Sequence, residues 1–156
     1  MNDRVRFPLA CLLLALLAGC QAVAPVRSED LVALERKAAA AYQARDWARA
    51  LPAYEKLTRR VPREAGFWFR LGNVHAHLRQ PEPAIAAWQR AVTLNPREGR
   101  AWHNIGITRL RQAANAFTQM AQNLPPEDPL QARALALSER VLDILEPDAD
   151  APARTK

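Results

Sequence analysis

Two tryptophans, Trp68 and Trp102, mark an internal repeat with a period of about 34 residues in this chain. In each copy the tryptophan is followed, three residues later, by an aliphatic residue and then a glycine. Side chains spaced in steps of three and four lie on one side of a helix, and a glycine among them lets another helix approach closely. A repeat of this length is typical of a chain built from stacked helical units.

The most complete copy runs from Ala65 to Pro96 and reads as one helix–turn–helix. The period extends backwards, because Tyr54 and Pro62 stand one full period before Trp88 and Pro96. The first half of that earlier copy matches less well, since Leu34 stands where the tryptophan belongs. The earlier copy is therefore assigned on its second helix.

These residues resemble the tetratricopeptide repeat. Counting Ala65 as position one, His75 replaces the usual tyrosine, and the matching residues are Trp68, Leu71, Gly72, Ala84, Trp88, Ala91 and Pro96. The resemblance covers roughly residues 30–120. It implies an all-α fold in which helix hairpins stack into a short right-handed superhelix. The domain is then residues 29–145, with repeats at about 31–64 and 65–98 and a degenerate unit at 99–145.

Capping and proline signals place the first four helices. Ser28 is a suitable N-cap for a helix that ends near Ala44, and Asp46 is a suitable cap for the second. Pro52 falls inside that second helix and predicts a slight kink, because it lacks an amide hydrogen. The third helix is predicted at about 64–78 and the fourth at about 82–94, with Pro81 and Pro83 around its first turn.

The third unit departs from the pattern. Apolar residues keep a three-and-four spacing past the place where the turn belongs, which predicts one long helix over about 100–123. A last helix, from about 128 to 145, then closes the end of the stack with Leu130, Leu137, Val141 and Ile144. The apolar stripe around residues 117–124 overhangs the shorter helices, so it needs a cover from this last helix or from a partner.

The N-terminus has the pattern of an export signal. Arg4 and Arg6 precede an apolar run over residues 7–17, which is too short to span a membrane. Leu17-Ala18-Gly19-Cys20 then resembles the bacterial lipobox, which implies that residues 1–19 are removed and that Cys20 carries lipid. An ordinary signal peptide or a short membrane-anchoring helix is the alternative. Residues 20–28 would be a lipidated tether and residues 146–156 a disordered tail.

Cysteine usage and charge bear on the compartment. Cys11 lies within the predicted signal, so Cys20 has no intramolecular disulfide partner after cleavage. Gln21 follows the cysteine where the family's sorting rule has Asp for inner-membrane retention, so we expect the periplasmic face of the outer membrane. The formal charge of +6 is spread along the chain, and an exported protein meets little nucleic acid, so no nucleic-acid partner is expected.

No enzyme signature occurs in the sequence. It has no nucleophile elbow, phosphate loop or paired-cysteine metal site, so we expect neither catalysis nor a cofactor. His77 and His103 fall on the inner faces of adjacent repeats, but no carboxylate stands at a matching place to complete a metal site. No metal is expected, and His75 is interpreted as a packing residue.

The resemblance also implies a binding surface, because the first helices of such repeats line a concave groove for a peptide or a partner helix. Tyr42 and Phe69 would serve there as apolar anchors, with Arg70 and Arg100 reading charge. The remaining groove residues are Asn73, His77, His103 and Asn104. The two asparagines match a carboxylate-clamp subfamily that grips acidic C-termini, but Phe69 stands where that subfamily has lysine.

Two hypotheses of function follow. The first is a lipid-anchored, non-catalytic adaptor that joins proteins of the bacterial cell envelope, similar to small lipoproteins of pilus, secretion or peptidoglycan machinery. The second is a periplasmic accessory protein that binds a ligand or metal for an envelope enzyme or transporter. A groove without a dedicated ligand is the remaining alternative.

Overall fold

A computed structural model describes residues 28–145 as six helices: α1 Ser28–Gln43, α2 Trp47–Arg60, α3 Ala65–His77, α4 Pro81–Leu94, α5 Gly99–Asn123 and α6 Pro129–Leu145. No strand occurs in this range. The all-α class and the stacked helix hairpins predicted from the sequence are confirmed. The predicted signal at 1–19, the lipidated Cys20 with its tether up to residue 27, and the tail at 146–156 lie outside the described residues.

Contacts divide the chain into residues 1–32 and residues 33–156. Of the first unit only residues 28–32 are described, and they form the start of α1. No helix in the described range is both long enough and apolar enough to span a membrane. The features below all belong to the second unit.

The turns of the first two hairpins are equivalent. Arg45 and Arg79, one repeat apart, both have a φ of 56°. In each turn the following amide donates to a carbonyl five residues earlier, Asp46 N to Ala41 O at 2.9 Å and Gln80 N to His75 O at 2.9 Å. This closure satisfies carbonyls at the end of a helix. The repeat seen in the sequence is therefore also a repeat of backbone geometry.

Each helix that follows a turn has its own start signal. The Asp46 side chain accepts from Arg49 N at 3.1 Å and caps α2, as the sequence predicts. α4 begins with Pro81 at its first position, where no amide hydrogen is required. α2 continues as one helix through Pro52, and the slight kink stays a prediction.

The main core cluster is built on α4, between α3 and the start of α5. Trp88 is 2% exposed and packs in a cluster with Ile85, Val92 and Ala101. A side chain at Gly72 would lie 2.5 Å from Trp88 Nε1 and 2.9 Å from its Cε2. The predicted role of Gly72 in close helix approach is thus confirmed, because only a hydrogen fits beneath the indole ring.

The indoles of Trp68 and Trp102 join successive units in the same way. Trp68 Nε1 donates to Pro62 O at 2.9 Å, and Trp102 Nε1 donates to Pro96 O at 3.1 Å. Both bonds reach back six residues, across the loop that precedes the helix. They fix the entry of α3 and of α5 relative to the preceding helix.

α5 is the predicted long helix, with 25 residues. It packs on α6 through small residues, namely Ala114, Ala121, Ala134 and Ser138, all of which are buried. Ser138 Oγ lies 2.9 Å from Thr118 Oγ1 and donates to Ala114 O at 3.3 Å. Small side chains let the two helix backbones approach closely enough for these bonds to form.

The predicted closing face of α6 is wrong in part. Leu130 is 46% exposed and Ile144 is 67% exposed, whereas Leu137 and Val141 are half-buried. The helix instead turns its alanine and serine towards α5, because Ser138 finds polar partners there and small residues permit close contact. Phe117, Met120 and Leu124 stay half-buried, so α6 covers the overhanging stripe only partly.

Candidate binding groove

Asn73 connects the first helices of all three units. Its Nδ2 donates to Tyr42 OH on α1 at 2.9 Å. Its Oδ1 accepts from Trp88 Nε1 at 3.0 Å and from Asn104 Nδ2 on α5 at 3.2 Å. An amide oxygen has two lone pairs and an amide nitrogen two hydrogens, so Asn73 retains a single free hydrogen. Asn73 therefore links α1, α3 and α5 through side-chain hydrogen bonds.

A pocket of about 410 Å³, here called the first pocket, lies over this network. Its lining is Tyr42, Asn73, Ala76, His77, Trp88, His103, Asn104, Ile107, Thr108 and Arg111. The polar atoms come from α1, α3 and α5, and the Trp88 edge supplies part of the apolar surface. This volume falls within the range of clefts that hold small ligands or large side chains.

A second pocket, of about 280 Å³, adjoins the first and shares Tyr42 with it. Its other lining residues are Ala39, Gln43, Phe69, Arg70 and Arg100. The two pockets together follow the inner face of the first helices, and we call them the groove.

Arg100 lines the second pocket, with a side chain that is 73% exposed. Its guanidinium carbon lies 4.7 Å from the centre of the Phe69 ring. Its Nε and Nη2 donate to the two oxygens of Glu98 at 2.8 and 3.1 Å. These bonds hold the pKa of the Glu98 carboxyl below its usual value and raise that of Arg100. The Arg100 charge is thus partly offset within the chain, and its plane covers the ring.

The Arg70 side chain is hydrogen-bonded to a buried tyrosine. Its Nη1 donates to Tyr54 OH at 3.3 Å, and Tyr54 itself is fully buried. Burial raises the pKa of the Tyr54 phenol, which the bond from Arg70 opposes in part. Arg70 keeps most of its donors for solvent or a ligand, because a guanidinium carries five N–H groups.

Aromatic rings fix one end of the first pocket. The rings of Trp47 and His77 stack with centres 4.0 Å apart at an angle of 4°. Tyr42 meets Trp47 edge to face at 5.4 Å and Tyr54 edge to face at 6.0 Å. His77 is therefore held against α2 while it lines the pocket. His75 lies elsewhere, with its Nδ1 2.7 Å from Gln80 Oε1.

The structure brings all the sequence-predicted groove residues together. Tyr42, Asn73, His77, His103 and Asn104 line the first pocket, and Tyr42, Phe69, Arg70 and Arg100 line the second. Their role in binding a partner stays a prediction.

Sequence reasoning missed several residues of the groove. Ile107 and Arg111 lie four and eight residues after His103, so the same helical register carried further along α5 would have found them. Trp47 lies at the start of α2, and its stack on His77 has no signal in the linear pattern.

His77 and His103 both line the first pocket, where they could contribute two ligands to a metal site. Within residues 28–145 no group of three or more His, Cys, Asp or Glu side chains is placed to hold a metal ion. A protein site for zinc normally needs three or four such ligands.

Comparison with known proteins bears on the repeat. A family model described as a tetratricopeptide repeat matches residues 36–99. That segment of the chain is similar to the tetratricopeptide repeat. The tetratricopeptide-like segment runs from the middle of α1 to the first residue of α5, so the match ends where the third unit begins.

Among solved structures, the chain is similar to the tetratricopeptide domain of Sgt2 from Aspergillus fumigatus. The TM-score is 0.49 at 18% identity, over 81% of this chain and 91% of that chain. A search of curated protein sequences gave no match.

Proposed function

We propose that this protein is a non-catalytic adaptor that holds a segment of a partner protein in the groove. The observation that carries the proposal is the convergence of the groove residues: side chains from α1, α3 and α5 line two adjoining pockets that share Tyr42. Stacked helical repeats commonly present such a surface to a peptide or a partner helix. Asn73 and the aromatic cluster give that surface a fixed shape before a partner arrives.

The cellular part of the proposal is supported by the sequence. The adaptor is exported in a bacterium and anchored by lipid on Cys20 to the periplasmic face of the outer membrane. Two or more acyl chains would give stable anchoring, since each buried methylene contributes about 0.8 kcal/mol. An anchored adaptor of this kind would serve an envelope assembly such as a pilus, a secretion machine or a peptidoglycan-synthesising complex.

Site-specific photo-crosslinking tests the adaptor. Gln43 is exposed and lines the second pocket, so a photoreactive residue there points at an occupant of the groove. Arg90 is exposed on α4, outside the groove, and serves as the matched control position. The expected result, in the native cells, is one envelope protein captured at position 43 and not at position 90. Equal capture at both positions, or none at 43 in folded protein, would contradict the adaptor proposal.

Metabolic labelling tests the anchor separately. Cells fed a radiolabelled fatty acid should label the protein, and Cys20→Ser should abolish both the label and its recovery with outer membranes. A signal peptide cleaved without lipidation would leave the wild-type protein unlabelled and would contradict the anchor while leaving the groove untouched.

A further inference from the structure

The groove carries arginine charge in both pockets. Arg70 and Arg100 line the second pocket, and His77, His103 and Arg111 line the first. Among the described residues that line the two pockets, none is Asp or Glu. A cleft lined by one sign of charge favours an occupant of the opposite sign and speeds its encounter.

Two of these arginines lack an acidic partner. Arg100 is held by Glu98, but within residues 28–145 neither Arg70 nor Arg111 forms an ion pair with a carboxylate. Arg70 is instead directed by the neutral Tyr54 hydroxyl. Each therefore presents a full charge and a planar set of donors, which suit a carboxylate.

The amide groups of the groove are less available than its charges. Asn73 uses its oxygen and one of its two amide hydrogens inside the protein, and Asn104 spends one hydrogen on Asn73. Asn73 and Asn104 thus each keep only one amide hydrogen for a ligand, fewer than the free donors of Arg70. Recognition in this groove therefore rests mainly on arginine charge, with Tyr42 as the apolar surface that both pockets share.

We infer that the groove binds an extended segment of a partner that carries carboxylate side chains, one opposite Arg70 and another opposite Arg111, with an apolar side chain between them at Tyr42. The inference rests on the proposed adaptor function. Unpaired cations occur in both pockets, so two carboxylates are needed. Acidic side chains along one segment supply two, whereas a single chain end supplies one.

Synthetic peptides test this inference on the full chain purified in a nonionic detergent. Three fluorescent peptides of about twelve residues suffice for such a groove: alternating Glu and Ala with an amidated end, alternating Gln and Ala with an amidated end, and the Gln peptide with a free carboxylate. Fluorescence anisotropy should give at least about tenfold tighter binding of the Glu peptide than of either Gln peptide. That preference should shrink between about 0.05 and 0.5 M salt.

A charge-matched pair of double variants locates the effect. Arg70→Glu with Arg111→Glu should abolish the preference for the Glu peptide. Arg63→Glu with Arg90→Glu makes the same change in net charge at exposed residues outside the groove, and should leave affinity within about twofold. Circular dichroism on both proteins confirms that the helices are intact. Equal binding of neutral and acidic peptides, or equal loss in both variants, would overturn the inference, and so would tight binding of the Gln peptide through its free carboxylate.

The crosslinking experiment separates this inference from the adaptor proposal. A captured protein whose crosslinked segment has no acidic residues would support the adaptor proposal and contradict the inference of an acidic partner. Absence of any adduct at position 43 would remove the adaptor itself, whatever the synthetic peptides do.

Discussion

The central hairpin and the third unit share an early tryptophan and glycine but differ in structure. Gly72 and Gly106 occupy equivalent places, one repeat apart. Gly72 lies beneath the buried Trp88 ring, whereas a side chain at Gly106 would meet nothing within 4 Å. The position that matches Trp88 in the third unit is Gln122, which is exposed. A repeat residue thus has its packing role only where its partner in the second helix is also present.

The two regions also differ at the place where the repeat has its turn. Arg79 has a φ of 56° and lies in the turn after α3, while Ala113, its equivalent, lies inside α5. Pro81 and Pro83 follow Arg79, and neither can supply an amide hydrogen to continue α3. No proline or glycine follows Ala113 before Asn123, so α5 continues. The missing turn converts a hairpin into one long helix that needs a separate cover, α6.

Removal of the central indole should give the largest difference between the regions. Trp88→Ala is expected to cost about 3–5 kcal/mol of unfolding free energy, because it leaves a cavity in the core and removes one of the two donors to Asn73 Oδ1. Gln122→Ala, at the equivalent place, should change stability by less than about 0.5 kcal/mol. Urea unfolding followed by far-ultraviolet circular dichroism measures both. Similar losses would show that the third unit packs at this position too.

Alanine substitutions at Gly72 and Gly106 should change the free energy of unfolding in opposite directions. Gly72→Ala is expected to destabilise by about 1–3 kcal/mol, because the added methyl group overlaps the Trp88 ring. Gly106→Ala should stabilise by about 0.5–1 kcal/mol, since glycine is unfavourable within a helix and the site is open. The same urea experiment gives both values. A stabilising Gly72→Ala would mean that α3 and α4 are further apart than described.

Removal of the Asn73 side chain should cost more stability than removal of the Asn104 side chain. Asn73→Ala leaves Tyr42 OH and Trp88 Nε1 without their partner, at a cost of about 1–2 kcal/mol. Asn104→Ala removes only one of the two donors to Asn73 Oδ1 and should cost less than about 1 kcal/mol. Thermal unfolding of the two variants, compared at equal concentration, measures the order. The reverse order would mean that Asn104, and not Asn73, is the residue on which this hydrogen-bond network depends.

The smallest effect is expected at the turn. Arg79→Gly should stabilise by a few tenths of a kcal/mol up to about 1, because glycine adopts positive φ without strain. Ala113→Gly should destabilise by about 1 kcal/mol, since Ala113 lies in a helix interior. Melting temperatures of the two variants should therefore move in opposite directions. A shift in the same direction would contradict the missing turn in the third unit.

Much of the fold could be predicted because its signals are local. Helix starts at Asp46 and Pro81 and the long helix over residues 100–123 follow from capping, proline chemistry and hydrophobic spacing within one segment. The orientation of α6 could not, because it depends on which of its faces fits α5. Of the predicted face, Leu137 and Val141 are half-buried, but Leu130 and Ile144 are exposed, because the contact with α5 centres on Ala134 and Ser138.

The candidate groove divides in the same way. The repeat register, carried over from the family, selected Tyr42, Phe69 and Arg70 as neighbours on one surface. It did not reveal that Asn73 is occupied within the protein, or that Glu98 holds Arg100 over Phe69. Those bonds join residues from different helices or depend on how a loop is folded, and no spacing rule contains them.

By itself, then, the sequence determined the helices, their order and the period of the repeat, because each depends on side chains a few positions apart or on a residue pattern that recurs. The tertiary structure alone decided that Gly72 receives an indole and Gly106 does not. It also decided which groove cations have an acidic partner. Close contact and charge pairing are properties of two surfaces brought together, and either segment alone specifies only one of them.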